Sequence, residues 1–193
     1  SAPSGAGKTS LCSELLRNYK NIQYSVSFTT RKPREDEKEG VDYFFVSEEK
    51  FKDMTQKGEF LEWALVHGNY YGTPKRFIEE KIKSGQNILL DIDPQGARQL
   101  RKSVKFGIYV FIIAPSIKEL EERLRNRRTE SEEKIALRLR NAYEEVKLYR
   151  DYDYIIINKT FKKAYKELES IYIAEHLRTR DVKDISDIMK LEV

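Results

Sequence analysis

The sequence contains a single cysteine, Cys12, and few features of an exported or membrane-bound protein. One cysteine cannot form a disulfide within the chain. This favours a reducing compartment and, with no signal peptide visible, a cytoplasmic location. The longest apolar run, at 109–114, is far shorter than the roughly 20 residues of a membrane helix. We therefore expect no membrane partner, and we expect Cys12 to be a small core residue of the first helix.

A large excess of one charge sign is also missing. The chain has 36 Lys and Arg residues against 32 Asp and Glu, a net charge of +4 at pH 7, and the two signs are interspersed. This balance does not indicate a nucleic-acid-binding protein, so we expect no nucleic-acid partner. Neither an internal repeat nor a low-complexity linker interrupts the 193 residues, of which 39% are hydrophobic and 35% charged. We expect one globular domain spanning 1–193.

The first ten residues, SAPSGAGKTS, are mostly small and lead to one lysine, Lys8, followed by a hydroxyl residue, Thr9. The spacing is that of the phosphate-binding loop G-x-x-x-x-G-K-S/T, with Ala2 in place of the first glycine. In such a loop, backbone N–H groups and the positive end of the following helix hold phosphate oxygens. The lysine then reaches the β- and γ-phosphates and the hydroxyl binds Mg²⁺. The stretch therefore predicts a nucleotide site.

A glycine-rich loop that only caps an ordinary helix is the alternative interpretation of this stretch. A phosphate loop normally follows a buried strand, and the sequence offers no room for one before Ser1. It also lacks an initiator methionine. We expect a few further residues to precede Ser1.

Short apolar runs alternate with longer helical patterns along most of the chain. The runs are rich in β-branched and aromatic residues and predict strands at 24–28, 87–92, 108–114 and 154–158. The helical patterns lie at 9–19, 74–84, 95–102, 116–126, 132–149 and 161–178. The last three runs resemble fully buried strands of a parallel sheet. This alternation predicts an α/β fold with a doubly wound parallel sheet.

One region, 43–73, breaks the alternation. Its segments YFFV, FLEWALV and YYGT predict short antiparallel strands around one helix. We expect this small α+β insertion to hold a second substrate opposite the phosphate loop. We also expect Thr73 to cap the next helix, with Pro74 at its first position.

Two arginines flank a proline just before this region. Pro33 keeps the chain extended, so Arg31 and Arg34 can converge on one anion, and the hydroxyl of Tyr43 can join them. A phosphate monoester suits this arrangement. The alternative interpretation is a solvated charged turn.

A second pair of charged residues marks the end of the strand predicted at 87–92. Asp91 and Asp93 lie at the carboxyl end of that strand, where ligands bind in parallel sheets. A carboxylate there, downstream of a phosphate loop, is a common ligand for Mg²⁺ or its water.

Together these segments resemble the guanylate kinase family. The resemblance rests on SAPSGAGKTS, SVSFTTRKPREDEKEGVDYFFV, EFLEWALVHGNYYGT, LLDIDPQG and RLRNRRTESEEKIALRLRNA, and it is collinear over essentially the whole chain. It implies a P-loop nucleoside monophosphate kinase fold and ATP-dependent phosphorylation of GMP to GDP. The implied parts are a core at 1–30, 74–126 and 151–193, a GMP-binding region at 31–73 and a helical lid at about 127–150. GMP and ATP are the implied substrates, with Mg²⁺ accompanying ATP.

The resemblance also implies residue roles, taken position by position. The implied ATP-binding residues are Ala2, Pro3, Ser4, Gly5, Ala6, Gly7, Lys8, Thr9, Ser10, Arg123, Arg127 and Asn158. The implied GMP-binding residues are Ser27, Arg31, Arg34, Tyr43, Glu62, Tyr71, Thr73 and Asp93, of which Glu62, Thr73 and Asp93 face guanine. The implied catalytic residues are Lys8, Arg34, Arg127 and Arg138, and Thr9 and Asp91 are the implied metal ligands. We expect Arg138 to lie on the lid, away from GMP, until closure.

Two positions depart from the family pattern. Arg128 stands where glycine is frequent, which bears on the lid, and Lys159 stands where an acidic residue is common, which bears on the adenine contacts. Three other functions remain open from sequence. They are a non-catalytic guanylate-kinase-like scaffold module, a ribose-bisphosphate phosphokinase-like kinase and a nucleotide-dependent regulator. The sequence does not give the oligomeric state or the role of the C-terminal 180–193.

Overall fold

The structure, a computed structural model, describes residues 1–66, 68–104, 106–126 and 131–178. Within these ranges the chain forms eight strands, seven α-helices and one 3-10 helix at Lys147–Asp151. The strands are β1 (Ile22–Tyr24), β2 (Ser27–Thr29), β3 (Tyr43–Phe45), β4 (Phe60–Val66), β5 (Asn69–Pro74), β6 (Asn87–Leu89), β7 (Val110–Ile113) and β8 (Tyr154–Ile157). The helices are α1 (Lys8–Asn18), α2 (Glu48–Gln56), α3 (Lys75–Lys83), α4 (Pro94–Ser103), α5 (Ile117–Arg125), α6 (Glu132–Val146) and α7 (Phe161–His176).

The core strands pair in parallel, and the helices connect them. β1 pairs with β6, and β7 pairs with β8. The backbone of Ser1 joins β7 on its other side, where Ser1 N donates to Val110 O at 2.8 Å and Ile112 N donates to Ser1 O at 2.9 Å. The predicted α/β fold with parallel strands is confirmed. No helix in the described ranges is long and apolar enough to cross a membrane.

The run predicted as one strand at 24–28 is two strands in two different sheets. β1 belongs to the parallel core, and Ser25 N still donates to Leu89 O at 3.1 Å. β2 instead joins a four-stranded sheet in the order β3-β2-β5-β4. Apolar and polar residues alternate throughout the run, so the sequence pattern does not show where the chain passes from one sheet to the other.

The four-stranded sheet is the small insertion predicted for 43–73, with one strand direction corrected. β5 runs antiparallel to both β2 and β4, as expected. β3 runs parallel to β2, because the turn around Arg31–Pro33–Arg34 carries the chain back before β3 begins. Stacked aromatic rings support the sheet, with Phe51 and Phe60 centroids 4.6 Å apart.

The phosphate-binding segment is anchored in the main hydrophobic core. Ala2 and Ala6 are 6% and 0% exposed and belong to the same cluster as Leu11 of α1 and Ile156 of β8. Cys12 is buried in α1, and burial raises the pKa of its thiol to about 12. The thiol is therefore uncharged and unreactive at neutral pH, as expected of a small core residue.

The helix starts follow from local capping, with one prediction wrong. Ser47, Asp93 and Ser116 each accept a backbone N–H in the first turn of α2, α4 and α5. Thr73 does not cap α3, because β5 continues through Thr73 to Pro74 and the helix begins at Lys75. The Thr73 side chain is thereby left available for a contact across the sheet.

Candidate phosphoryl-transfer site

The phosphate-binding loop turns on two glycines with positive φ. Gly5 has φ 89° and Gly7 has φ 92°, a region that side chains disfavour. Gly7 immediately precedes α1, so the helix begins at the point where the backbone N–H groups of the loop converge. Ala2, Pro3, Ser4 and Ala6 form the remainder of the loop, and Ser10 lies exposed in the first turn of α1. The segment has the backbone form of an anion site at a helix N-terminus.

Asn158 holds this loop from the end of β8. Its Nδ2 donates to Ala6 O at 2.8 Å, and its side chain occupies the space that a Cβ at Gly7 would need. Arg123 of α5 in turn donates to Asn158 O at 2.7 Å and to Glu119 Oε1 at 2.5 Å. The structure therefore brings Asn158 and Arg123 to the loop, as expected for the ATP side.

Lys8 lies between the loop and the strand end that carries Asp91. Its Nζ donates to Ile92 O at 2.9 Å and forms an ion pair with the Asp91 carboxylate. Burial opposes the charged form of Lys8, but the charge and hydrogen bond of Asp91 prevail and raise its pKa. Thr9 Oγ1 donates to the other oxygen of Asp91 at 3.5 Å. A cation, a hydroxyl and a carboxylate thus meet at one point beside the phosphate loop.

Arg138 of α6 lies against the loop. Its Nη1 donates to Ser4 Oγ at 2.7 Å, so its side chain lies on the phosphate-loop side of the site. Arg127, predicted to accompany Arg138, and Arg128 lie outside the described residues.

Arg31 and Arg34 converge, as the sequence predicts. Arg31 contacts Tyr71 Oη through Nε at 3.2 Å and Glu37 Oε1 through Nη2 at 2.7 Å, and its guanidinium carbon lies 5.4 Å from the centre of the Tyr43 ring. Glu37 also accepts from the backbone N–H of Arg34 at 2.8 Å, and the Arg34 side chain comes within 3.8 Å of it. The two arginines face one carboxylate, so the turn is organised around an anion.

Ser27 borders the same cluster. It is buried at the start of β2, directly opposite Tyr43 in the register of β2 and β3. The Tyr43 and Tyr71 rings have centroids 5.8 Å apart. Ser27, Tyr43 and Tyr71 therefore lie together beside Arg31.

Glu62 and Thr73 face each other across β4 and β5. They are paired in register, the Thr73 hydroxyl donates to Glu62 Oε1, and the two residues are 5% and 0% exposed. Burial raises the pKa of Glu62 to about 7, and the charge of Asp93 adds to this, whereas the hydrogen bond from Thr73 and the charge of Lys8 oppose it. Such a carboxylate, without a basic partner in direct contact among the described residues, suits a ligand that donates hydrogen bonds.

Asp93 completes this group. As the cap of α4 it accepts from Gly96 N through Oδ1 at 2.9 Å. Its other oxygen, Oδ2, is buried and has no hydrogen-bond partner within the described ranges. A buried acceptor of this kind is rare unless a ligand uses it.

Charges beside the phosphate loop act on residues of the four-stranded sheet. Burial raises the pKa of Tyr43, and the Asp91 charge raises it further while Lys8 lowers it. Glu62 likewise responds to Lys8. The two groups of residues lie near each other, since Asp91 pairs with Lys8 while Asp93, two residues later, and Glu62 both border Gly96.

Sequence reasoning missed two carboxylates of this cleft. Glu37 was part of a charged run whose members look equivalent until the turn folds. Glu145 of α6 is half-buried, and burial together with the Asp93 charge raises its pKa to about 7. The only local signal was the unbroken helical pattern, which does not show that Glu145 faces the cleft.

Comparison with known proteins agrees with this geometry. The model of the guanylate kinase family matches residues 1–175. The chain belongs to the guanylate kinase family. It is 49% identical to the guanylate kinase of Geobacter sulfurreducens over 100% of this chain and 95% of the relative. It is 48% identical to that of Clostridioides difficile over 96% of this chain and 90% of the relative.

A solved guanylate kinase shares the fold. The crystal structure of guanylate kinase from Anaplasma phagocytophilum superposes with a TM-score of 0.76 at 35% sequence identity, covering 92% of this chain and 84% of that chain. Membership of the guanylate kinase family, predicted from the sequence, is confirmed.

Proposed function

We propose that this protein transfers the γ-phosphoryl group of ATP to GMP, giving ADP and GDP. The observation that carries the proposal is the shared cleft. On one side lie Lys8 and Asp91 beside the phosphate loop, and on the other lie the buried Glu62–Thr73 pair and the Arg31–Arg34 turn. The relatives named guanylate kinase support this reaction.

Guanine suits the buried pair. Its N1–H and N2–H₂ are adjacent donors and its O6 is an acceptor, so the ionised Glu62 accepts from the first two. Thr73 donates to O6 once its hydroxyl proton turns away from Glu62 Oε1, which the guanine donors then satisfy. Asp93 Oδ2 offers a second acceptor near the same edge. Adenine would instead turn its N1 lone pair toward the carboxylate. A site built on buried hydrogen bonds rejects a mismatched partner by roughly 10⁴-fold.

The phosphate of GMP belongs at the two arginines. Arg31 and Arg34 present planar forks, and the Tyr71 hydroxyl contacts Arg31. The Tyr43 ring lies beside Arg31, and Ser27 lies opposite Tyr43 in the strand register. This set gives several charge-assisted hydrogen bonds to a dianion. We assign GMP binding to these residues and to the region 31–73 that carries most of them.

ATP belongs at the opposite side of the cleft. The backbone of residues 2–10 holds its phosphates, Lys8 reaches the β- and γ-phosphates, and Arg123, Arg127 and Asn158 border the nucleotide. The core at 1–30, 74–126 and 151–193 carries this half, and the lid at about 127–150 carries Arg127 and Arg138.

Thr9 and Asp91 fit a magnesium ion that arrives with ATP. They offer one hydroxyl and one carboxylate close together, hard oxygen donors that leave most positions of an octahedral ion to phosphate and water. Within the described residues, no group of three or more His, Cys, Asp or Glu could hold a metal ion without the nucleotide. When bound, Mg²⁺ would neutralise charge on the β- and γ-phosphates.

Phosphoryl transfer needs alignment and positive charge more than covalent help. Lys8, Arg34, Arg127 and Arg138 are the proposed catalytic residues. Arg138, already hydrogen-bonded to Ser4 of the loop, is placed to meet the transferring group from the lid side. A fixed guanidinium there stabilises the transition state more than the ground state.

A coupled ADP-release assay tests the function directly. GMP, dGMP, AMP, dTMP and a ribose bisphosphate are offered in parallel with ATP and Mg²⁺. We expect turnover with GMP and weaker turnover with dGMP. Equal turnover of AMP would refute the guanine assignment, turnover of the ribose bisphosphate alone would indicate the related sugar kinase, and no turnover of any acceptor by folded protein would indicate a scaffold module.

A further inference from the structure

Gly96 lies where the first turn of α4 passes behind the carboxylate of Glu62. A Cβ built at this position would fall well inside van der Waals contact with Glu62 Oε2 and 2.9 Å from the carboxyl carbon. It would also lie 3.2 Å from Asp93 Oδ1. Both carboxylates proposed to face guanine therefore border the space that a side chain at residue 96 would fill.

The backbone gives no reason for glycine here. Gly96 is the third residue of α4 and is not among the glycines with positive φ. Alanine is a better helix former than glycine at such a position. The space required by Glu62 is therefore the physical reason for the missing side chain.

Glu62 is also held on its other side. It is 5% exposed, and on the side away from Gly96 its Oε1 accepts from the buried hydroxyl of Thr73. The β4–β5 pairing fixes the backbone of both residues. The carboxylate is thus held between Thr73 and the backbone of α4.

The same residue also orients Asp93. Gly96 N donates to Asp93 Oδ1, which directs Oδ2 elsewhere and leaves it without a partner in the part of the chain that the structure describes. One residue therefore sets the distance between two acceptor groups on different elements, one on a strand and one on a helix.

We propose that Gly96 is a positioning residue for guanine recognition, because the absence of its side chain lets Glu62 and Asp93 lie side by side facing one base edge. This inference rests on the proposed function. A methyl group at residue 96 pushes the Glu62 carboxylate off Thr73 and out of line with the N1–H and N2–H₂ donors. The substitution thus alters base recognition through Glu62, without any contact between residue 96 and the phosphates.

The test is Gly96→Ala, assayed for equilibrium GMP affinity, for ATP affinity and for kcat/KM with GMP and AMP. We expect GMP affinity and the GMP-over-AMP ratio of kcat/KM to fall at least tenfold, with ATP affinity within about twofold of the wild type. Ala97→Gly is the control, because it perturbs the same turn of α4 while residue 96 keeps no Cβ. It should lower stability and leave the GMP-over-AMP ratio unchanged.

A second variant separates positioning from general damage to the helix. Glu62→Asp shortens the side chain that collides with the new methyl group. Adding Gly96→Ala to Glu62→Asp should therefore change kcat/KM for GMP by less than about twofold, and should restore folding if Gly96→Ala alone fails to fold. The proposal would be overturned if Gly96→Ala lowered kcat/KM for GMP equally in the wild type and in Glu62→Asp. It would also be overturned if Gly96→Ala kept the GMP affinity and the GMP-over-AMP selectivity of the wild type. Failure of the wild-type protein to phosphorylate GMP would instead refute the proposed function.

Discussion

Glu37 bridges the two arginines of the phosphate turn, accepting from the Arg31 side chain at 2.7 Å and from the Arg34 backbone at 2.8 Å. The Arg31 and Glu37 side chains are 18% and 11% exposed, so solvent screens this pair less than a surface ion pair. The desolvated Glu37 carboxylate nevertheless has a lowered pKa, because hydrogen bonds from Arg31 and Arg34 outweigh its burial. The turn is thus ordered around an internal carboxylate.

Glu37→Gln should therefore destabilise the protein. The variant keeps the size of the side chain but removes the charge from hydrogen bonds to a guanidinium, and we expect a loss of about 1–3 kcal/mol in the free energy of unfolding. Urea denaturation at pH 7 measures it. Glu35→Gln, an exposed acid in the same turn, is the matched control and should change little. Equal stability of Glu37→Gln and the wild type would show that the pair contributes nothing.

Glu62→Gln tests guanine recognition. The variant places an amide donor opposite a guanine donor, which loses the pairing and leaves a buried group unsatisfied. We therefore expect kcat/KM for GMP to fall by a factor that corresponds to about 2–4 kcal/mol of transition-state stabilisation. ATP binding, measured alone by calorimetry, should barely change. Glu59→Gln, an exposed acid just before β4, is the control. Near-normal GMP kinetics in Glu62→Gln would place the base elsewhere.

GMP affinity should depend on pH through Glu62. The pKa of Glu62 is raised to about 7 in the free protein, and only the ionised carboxylate accepts both guanine donors. Affinity should therefore weaken as pH falls below about 7 and level off above it, with proton release on binding in the lower range. Glu62→Gln should lack this part of the profile, whereas Glu145→Gln should keep it although the pKa of Glu145 is also raised to about 7. The same profile in Glu62→Gln as in the wild type would contradict the assignment.

The raised pKa of Glu62 also makes the stability of the folded protein depend on pH. This dependence is opposite in direction to that of GMP affinity. Because the folded-state pKa of Glu62 lies above its usual 4.5, its favourable contribution is complete below pH 4.5 and is lost as pH rises through about 7. The full loss is about 3 kcal/mol. Thermal unfolding of Glu62→Gln against the wild type should therefore show the variant gaining relative stability between pH 5 and pH 8. A difference in melting temperature that stays constant over this range would refute the raised pKa.

Arg138 and Arg34 should separate chemistry from binding. Arg138→Lys keeps the charge but loses the planar fork, so kcat should fall on the order of 10²–10³-fold while the Kd for GMP shifts only a few-fold. Arg34→Ala should mainly weaken GMP binding, with a smaller fall in kcat. Saturating turnover and equilibrium GMP titration of both variants decide this, with Arg140→Lys on the exposed side of α6 as control. An unchanged kcat in Arg138→Lys would rule out the lid-arginine mechanism.

The parts of the site that sequence predicted are those carried by neighbouring residues. The phosphate loop, Lys8 and Thr9 occupy ten consecutive positions whose spacing alone defines an anion site, and Asp91 and Asp93 end one apolar run. The helices were predicted for the same reason, since their periodicity and caps are local.

The parts that sequence did not predict depend on contacts between distant segments. The division of 24–28 into β1 and β2 follows from which partner each half finds, β6 or β5. Thr73 was expected to cap a helix, and its strand instead continues because β4 pairs with it. The crowding between Gly96 and Glu62 joins residues from α4 and β4, which no local pattern relates.

Ala2 and Ala6 place the floor of the phosphate loop inside the main core, whereas Glu62 and Thr73 lie in the separate four-stranded sheet. Under the proposed function, ATP therefore contacts the main core and GMP contacts the four-stranded sheet. If β7 and β8 open only with the whole core, ATP bound at the loop should slow hydrogen exchange at their amides. GMP should instead protect the amides of β4 and β5 against local opening. The two nucleotides would thus protect different backbone amides from hydrogen–deuterium exchange, even without phosphoryl transfer.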